Sequence, residues 1–317
     1  MSETFTNPEV VSGKEILFAA LRNERIPRPA WVPFVGVHGG KLLDIDAEQF
    51  LKSADNIVEG QKKAFELYQP DGLPVVFDLQ MEAEILGCDL VWAKDAPPSV
   101  STHPLAEKSL ADLPAYSTDG GRFPLVAEAA QRLRADIGGD CALYGLITGP
   151  FTLLSHLMGS AIFMDMLMEP DKVHEAMDFC AEVGKKTSDF YVANGCEVIA
   201  VVDPMTSQIS PDHFTEFVAG PLNKVFDHIR RLDAFSSLFV CGDATRNLHV
   251  MCQTSCDNVS IDENISLNLL RKLARENNKS FGGNMRLTTV LLMGTEADSM
   301  LDAIRCIDRG GTEGFVL

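Results

Sequence analysis

The chain has no run of eighteen apolar residues, so no membrane-spanning helix and no membrane insertion are expected. Its first residues, MSETFTNPEVVSGKEILF, have no basic stretch followed by an apolar core, so no signal peptide is expected either. There is no Gly-x-Gly-x-x-Gly after a first strand and no phosphate-loop signature. That argues against a doubly wound nucleotide-binding sheet. Basic residues are scarce: 27 Lys and Arg stand against 45 Asp and Glu, a formal charge of -18. Such a balance opposes binding to nucleic acid or to an anionic membrane. It says less about small ligands, because one basic residue in a pocket can hold an anion. Eight cysteines in 317 residues are not a small disulfide scaffold. Cys141, Cys196 and Cys306 each lie in apolar runs, where buried free thiols are usual. A reducing, cytoplasmic compartment is expected.

What the chain does have is 46% hydrophobic residues, ample for one large core. Ser12 to Asn23 reads as a first helix, with Ser12 and Glu15 spaced as a capping box. Strand-like runs follow at AWVPFVG (30–36), LPVVFDLQ (73–80), the start of CALYGLITGPFTLLSHLMG (141–159), CEVIAVVDP (196–204), SSLFVCGD (236–243), CDNVSIDE (256–263), NKSFGGNMR (278–286) and GTEGFVL (311–317). Helical patterns separate them at 47–67, 124–136, 171–194, 211–231, 267–277 and 298–310. Continuous apolar strands with long connections imply a parallel sheet covered on both faces. Eight such strands predict a single (β/α)8 TIM barrel over residues 1–317, ending in or near strand eight. The Pro-, Ser- and Asp-rich stretch 93–124 reads as an excursion folded against the barrel mouth.

Polar residues recur at the carboxyl ends of these runs, the end where a barrel carries its chemistry. Asp78 follows an apolar run and must face solvent, a ligand or a compensating partner. Glu84 follows it in QMEAEILGCD, and Asp203 ends the fourth run. Cys241, Asp243, Asp262 and Glu263 crowd the fifth and sixth. Cys241 at a strand end can be a nucleophile, a metal ligand or a packed thiol. His249, Cys252 and Cys256 invite a zinc cluster with it. However, Leu248, Met251 and Cys252 form one apolar helix face, and Cys256 belongs to the opposite end of its strand. His38, beside Gly39 and Gly40, can face a pocket or be an ordinary loop histidine. Arg286, after FGGNM, is either an anion clamp or a surface arginine.

The stretches VPFVGVHGGKLL, VVFDLQMEAEILGCDL, LITGPFTLLSHLMG, VVDPMTSQISPDHF, VCGDATRNLHVM and VSIDENISL resemble the uroporphyrinogen decarboxylase superfamily. The resemblance is closer to its corrinoid-dependent methyltransferase branch, through MEAEILG after Asp78. WVPFVG stands where the decarboxylases carry an arginine-rich substrate motif, which argues against a porphyrinogen with many carboxylates.

This resemblance implies methyl transfer between a corrinoid carried by a partner protein and a small thiol or methylated substrate. It also implies a zinc ion that activates the thiol. Such zinc is held by a His-x-Cys pair after the fifth strand and a cysteine after the eighth. Cys241 matches the first cysteine. Phe239 occupies the histidine's place, and the later cysteine would follow GFVL, beyond Leu317. Asp78, Asp203 and Asp262, with Glu84, are the carboxylates such a mouth would use to orient substrate. A decarboxylase-like lyase and a non-enzymatic barrel are the alternatives.

Overall fold

A computed structural model describes residues 11–34 and 36–317. Residues 1–10, on which the signal-peptide expectation partly rests, and Val35, within the first strand-like run, lie outside the described residues. Among the described residues, seven parallel strands form one curled, open sheet in simple sequence order. They are β1 (Gly72–Pro74), β2 (Ala142–Thr148), β3 (Val198–Val202), β4 (Phe235–Val240), β5 (Asn258–Ile261), β6 (Ser280–Gly282) and β7 (Phe315–Val316).

The run 30–36, expected as a first strand, forms no regular strand among its described residues. It makes a single bridge from Ala30 to Val316. The segment nevertheless bonds to both edge strands. Val32 N donates to Leu317 O (2.8 Å), and Asp71 N donates to Trp31 O (2.8 Å). Pro29 and Pro33 lack the amide protons that a longer ladder requires. Asp71 pins the segment instead. It accepts both terminal nitrogens of Arg28 (2.6 and 2.7 Å) and the amide of Trp31 (2.8 Å).

Alternation along the strands sorts the core into two layers. Leu143, Ile147, Ile199, Val201, Leu238 and Val240 belong to the layer packed under the helices. Tyr144, Leu146, Val198, Ala200, Val202 and Phe239 fill the inside of the curl. Helix Gly13–Leu21 closes the amino-terminal end of that lumen with Ile16, Leu17, Ala20 and Leu21. It starts on the expected Ser12–Glu15 capping box.

The helical stretch 47–67 is two helices, Ala47–Leu51 and Ala54–Tyr68, because Ser53 caps a new start. Within 93–124, Ser99–Val100 pairs with Leu90–Val91 as a two-stranded ribbon, and two short 3₁₀ turns follow. Among the described residues no single helix is long and apolar enough to cross a membrane. The apolar pair Pro150–Met158 and Ala161–Met168 is bent by 105°, and its first member is almost wholly buried.

Candidate functional site

Three carboxylates near the strand ends are engaged in building the scaffold. Asp78 is fully buried. It accepts from Gln80 N (2.8 Å) and pairs with Arg122. The same guanidinium donates through Nε to Glu84 (2.9 Å) and lies 5.0 Å from the Trp92 ring centroid. Its Nη2 is buried without a partner. Asp203, also fully buried, caps the helix Pro150–Met158. Oδ2 accepts from Phe151 N (3.2 Å), while Oδ1 accepts from Thr152 N (2.8 Å) and Thr152 Oγ1 (2.7 Å). Burial nevertheless pushes the Asp203 carboxyl up to about 6.

Glu82, two residues before Glu84, is buried against β2. It accepts from Thr148 N (3.0 Å), and Thr148 Oγ1 lies 2.9 Å from its second oxygen. That hydroxyl also lies 2.7 Å from the Leu79 carbonyl. One hydroxyl proton cannot serve two acceptors, so a protonated Glu82 completes the pattern by donating to Thr148. Burial raises its pKa in the same direction.

The second group lies at the ends of β4 and β5. Cys241 is partly exposed, and burial together with Asp262 pushes its thiol up to about 12. Asp262 accepts from Gly242 N (2.5 Å), and from Asn264 N (2.9 Å) and Nδ2 (3.1 Å). It thereby clamps the β4 loop to the β5 loop. Asp243 is exposed and holds Thr245 N (3.1 Å), while Glu263 keeps one buried oxygen unpartnered.

Phe239 shares the lumen-facing side of β4 with Cys241, and its ring stands 5.4 Å from Phe34. Among the described residues no three His, Cys, Asp or Glu side chains come together as a metal site. The described donors here are two, the Cys241 thiol and the Asp262 carboxylate, with Phe239 where the resemblance implies a histidine. That does not fit a three-ligand zinc centre. Cys252 is packed and buried, Cys256 lies buried at the start of β5, and His249 is exposed.

Two other expected positions stand apart. His38 is exposed and lies 2.8 Å from the Tyr68 hydroxyl. Arg286 is tied to Asp302 through its amide and its guanidinium (2.8 Å each), and Arg305 shares that carboxylate.

Below Cys241 the lumen holds a cavity of about 90 Å³. Phe34, Tyr144 and Phe239 form one wall, and Ser237, Asn258 and Ser260 the other. Sequence reading singled out Phe239 among these but missed the others as site residues, and it missed Arg122. The i, i+2 pairs Ser237–Phe239 and Asn258–Ser260 were the available signal, since they share the face of Cys241 and Asp262. Arg122 had none, sitting at the end of an aperiodic stretch.

A curled parallel sheet, helices outside, and polar side chains gathered at the strand carboxyl ends define an α/β protein of the barrel type. The uroporphyrinogen decarboxylase (URO-D) family matches residues 12–317, and the chain belongs to that family. It is 30% identical to the methylcobamide:CoM methyltransferase MtbA of Methanosarcina mazei over 94% of this chain and 89% of that protein. It is 23% identical to a uroporphyrinogen decarboxylase of Synechococcus over 80% of this chain and 76% of that one. A solved methyltransferase from Methanosarcina mazei has the same fold, with a TM-score of 0.87 over 94% of this chain and 90% of that one, at 24% identity.

Proposed function

We propose that this protein moves a methyl group between a corrinoid protein and a small thiol or methylated substrate. The observation that carries this reading is the 30% identity, through nearly the whole chain, to a methylcobamide:CoM methyltransferase. In the thiol-accepting direction the sulfur lone pair forms the new S–CH3 bond. The cobalt–carbon bond breaks with its electron pair left on cobalt, and the thiol proton is released to water.

The chain's own residues supply a lumen cavity with one aromatic and one polar wall, under a mouth whose loops are tied together. Segment 30–34 bonds to the residues at both sheet edges, which supports reading the curled seven-stranded sheet as a (β/α)8 barrel whose remaining place holds no regular strand. Asp203 holds the helix after β2, Asp262 joins two mouth loops, and Arg122 draws the 93–124 excursion onto Asp78. The small lumen cavity, with no ionised side chain lining it, suits a small substrate better than a tetrapyrrole with many carboxylates. The two described donors at Cys241 are fewer than a zinc centre takes. Eight free thiols suit a reducing, cytoplasmic setting.

The test is spectroscopic. Protein is mixed with methylcobalamin, free or on a corrinoid protein, and with a panel of small thiols. The reverse direction uses cobalt(I) and methylated donors. Thiol-dependent loss of the methyl–cobalt spectrum, with a methyl thioether recovered, is the expected result. No change in either direction would overturn the reading.

A further inference from the structure

The hydroxyl wall of the lumen cavity has a fixed hydrogen-bond polarity. The Gly314 carbonyl can only accept, so Ser280 Oγ donates to it (2.9 Å). Ser280 then accepts from Asn258 Nδ2 (2.9 Å). This orients the amide, and Asn258 Oδ1 accepts from both Ser237 Oγ (2.8 Å) and Ser260 Oγ (2.7 Å). Each serine has one hydroxyl proton, and each has spent it. What Ser237 and Ser260 turn toward the cavity is lone pairs.

The opposite wall, Phe34, Tyr144 and Phe239, offers ring surface to an apolar body, and Tyr144 adds a phenol hydroxyl. No ionised side chain lines the space, so an ion of either sign would lose its hydration without a counter-charge. The volume, about 90 Å³, is that of roughly three waters at liquid density.

We propose that this cavity is a subsite for the hydrogen-bond-donating end of a small uncharged substrate, a thiol in the methyl-transfer reading on which this rests. Ser237 and Ser260 accept from it, and Phe34 and Phe239 pack against its carbon atoms. A thioether of the same size has no proton to give. The subsite therefore selects the methyl acceptor over a methylated donor.

Two isomers with the same heavy atoms separate the cases: ethanethiol, which donates, and dimethyl sulfide, which does not. Their dissociation constants are measured by ligand-observed NMR on the full chain without any corrinoid. The expected preference for ethanethiol is about twofold, the lower end of the range for one net hydrogen bond, because S–H is a weak donor. Ser260→Ala should reduce that preference while leaving dimethyl sulfide binding in place. Tyr144→Phe should leave the preference intact, and unchanged circular dichroism and melting show that each variant is folded.

Equal binding of the isomers, tighter binding of dimethyl sulfide, or a preference lost in Tyr144→Phe but not in Ser260→Ala would each overturn the proposal. Because no turnover is measured, a failed methyl-transfer assay with the preference intact rejects the reaction and spares the subsite. Turnover without the preference does the reverse.

Discussion

The Arg122 guanidinium is paired with the buried carboxylate of Asp78, a residue 44 positions earlier in the chain. Both side chains are almost wholly removed from solvent. Breaking a buried pair from one side strands the other charge, at a cost of about 3–5 kcal/mol. Arg122→Met should therefore lower the urea-unfolding free energy by that amount. The double variant Asp78→Asn/Arg122→Met should recover part of it. Glu84→Gln should matter little, because Glu84 is a third exposed and such pairs contribute about 0–1 kcal/mol. A loss below about 1 kcal/mol in Arg122→Met would show that the pair does not hold the excursion in place.

Asp203 carries a pH signature. Burial raises its folded carboxyl to about 6, from an ordinary value of 3.8. The native state thus holds the proton more tightly than the unfolded chain. The resulting stability is fully present below the unfolded value and is lost as pH rises through the folded one. The loss is roughly 1.4 kcal/mol for each pH unit that separates the two values. Asp203→Asn keeps an acceptor for Thr152 N but cannot ionise. Between about pH 4 and 6 the wild-type unfolding free energy should fall relative to that of Asp203→Asn. Parallel curves across that range would be the contrary result.

Much of this arrangement was legible in the sequence, for identifiable reasons. β2 and β3 are uninterrupted apolar runs, ALYGLIT and VIAVV, buried on both faces, and such runs announce parallel strands. The first run failed as a strand because Pro29 and Pro33 interrupt its donors, which local apolarity conceals. Asp78 and Asp203 stood out as carboxylates closing apolar runs, yet their partners lie 44 and 51 residues away. Local pattern carries no information over that distance. Cys241 and Asp262 could be placed together because both follow strands in a common register. The cavity beneath them could not, since its shape depends on how far the sheet curls.

Cys241 is the one cysteine that is not buried, and its thiol is raised to about 12. Alkylation of the native protein with iodoacetamide should modify this position alone, slowly at pH 8. Only the thiolate reacts, so the rate should rise roughly tenfold per pH unit from pH 8 to 10 without levelling. Peptide mass spectrometry identifies the site and the time course gives the rate. A plateau near neutral pH would mean an activated thiolate, which the present surroundings of Cys241 do not provide.

Gly282 and Ser260 face each other across β6 and β5. A Cβ at Gly282 would lie 2.5 Å from Ser260 Oγ and 3.1 Å from the Val316 carbonyl. Gly282→Ala should push the serine hydroxyl off Asn258 and strain the sheet, a loss of about 1–3 kcal/mol. Ser260→Gly in the same chain removes the nearest obstacle and should restore part of that stability. Both variants should then show a reduced preference for ethanethiol over dimethyl sulfide, because both lose the Ser260 acceptor while Ser237 keeps its own. Urea-unfolding midpoints and the NMR titration provide the two readouts. If Gly282→Ala leaves both unchanged, Ser260 is not held where the cavity requires it.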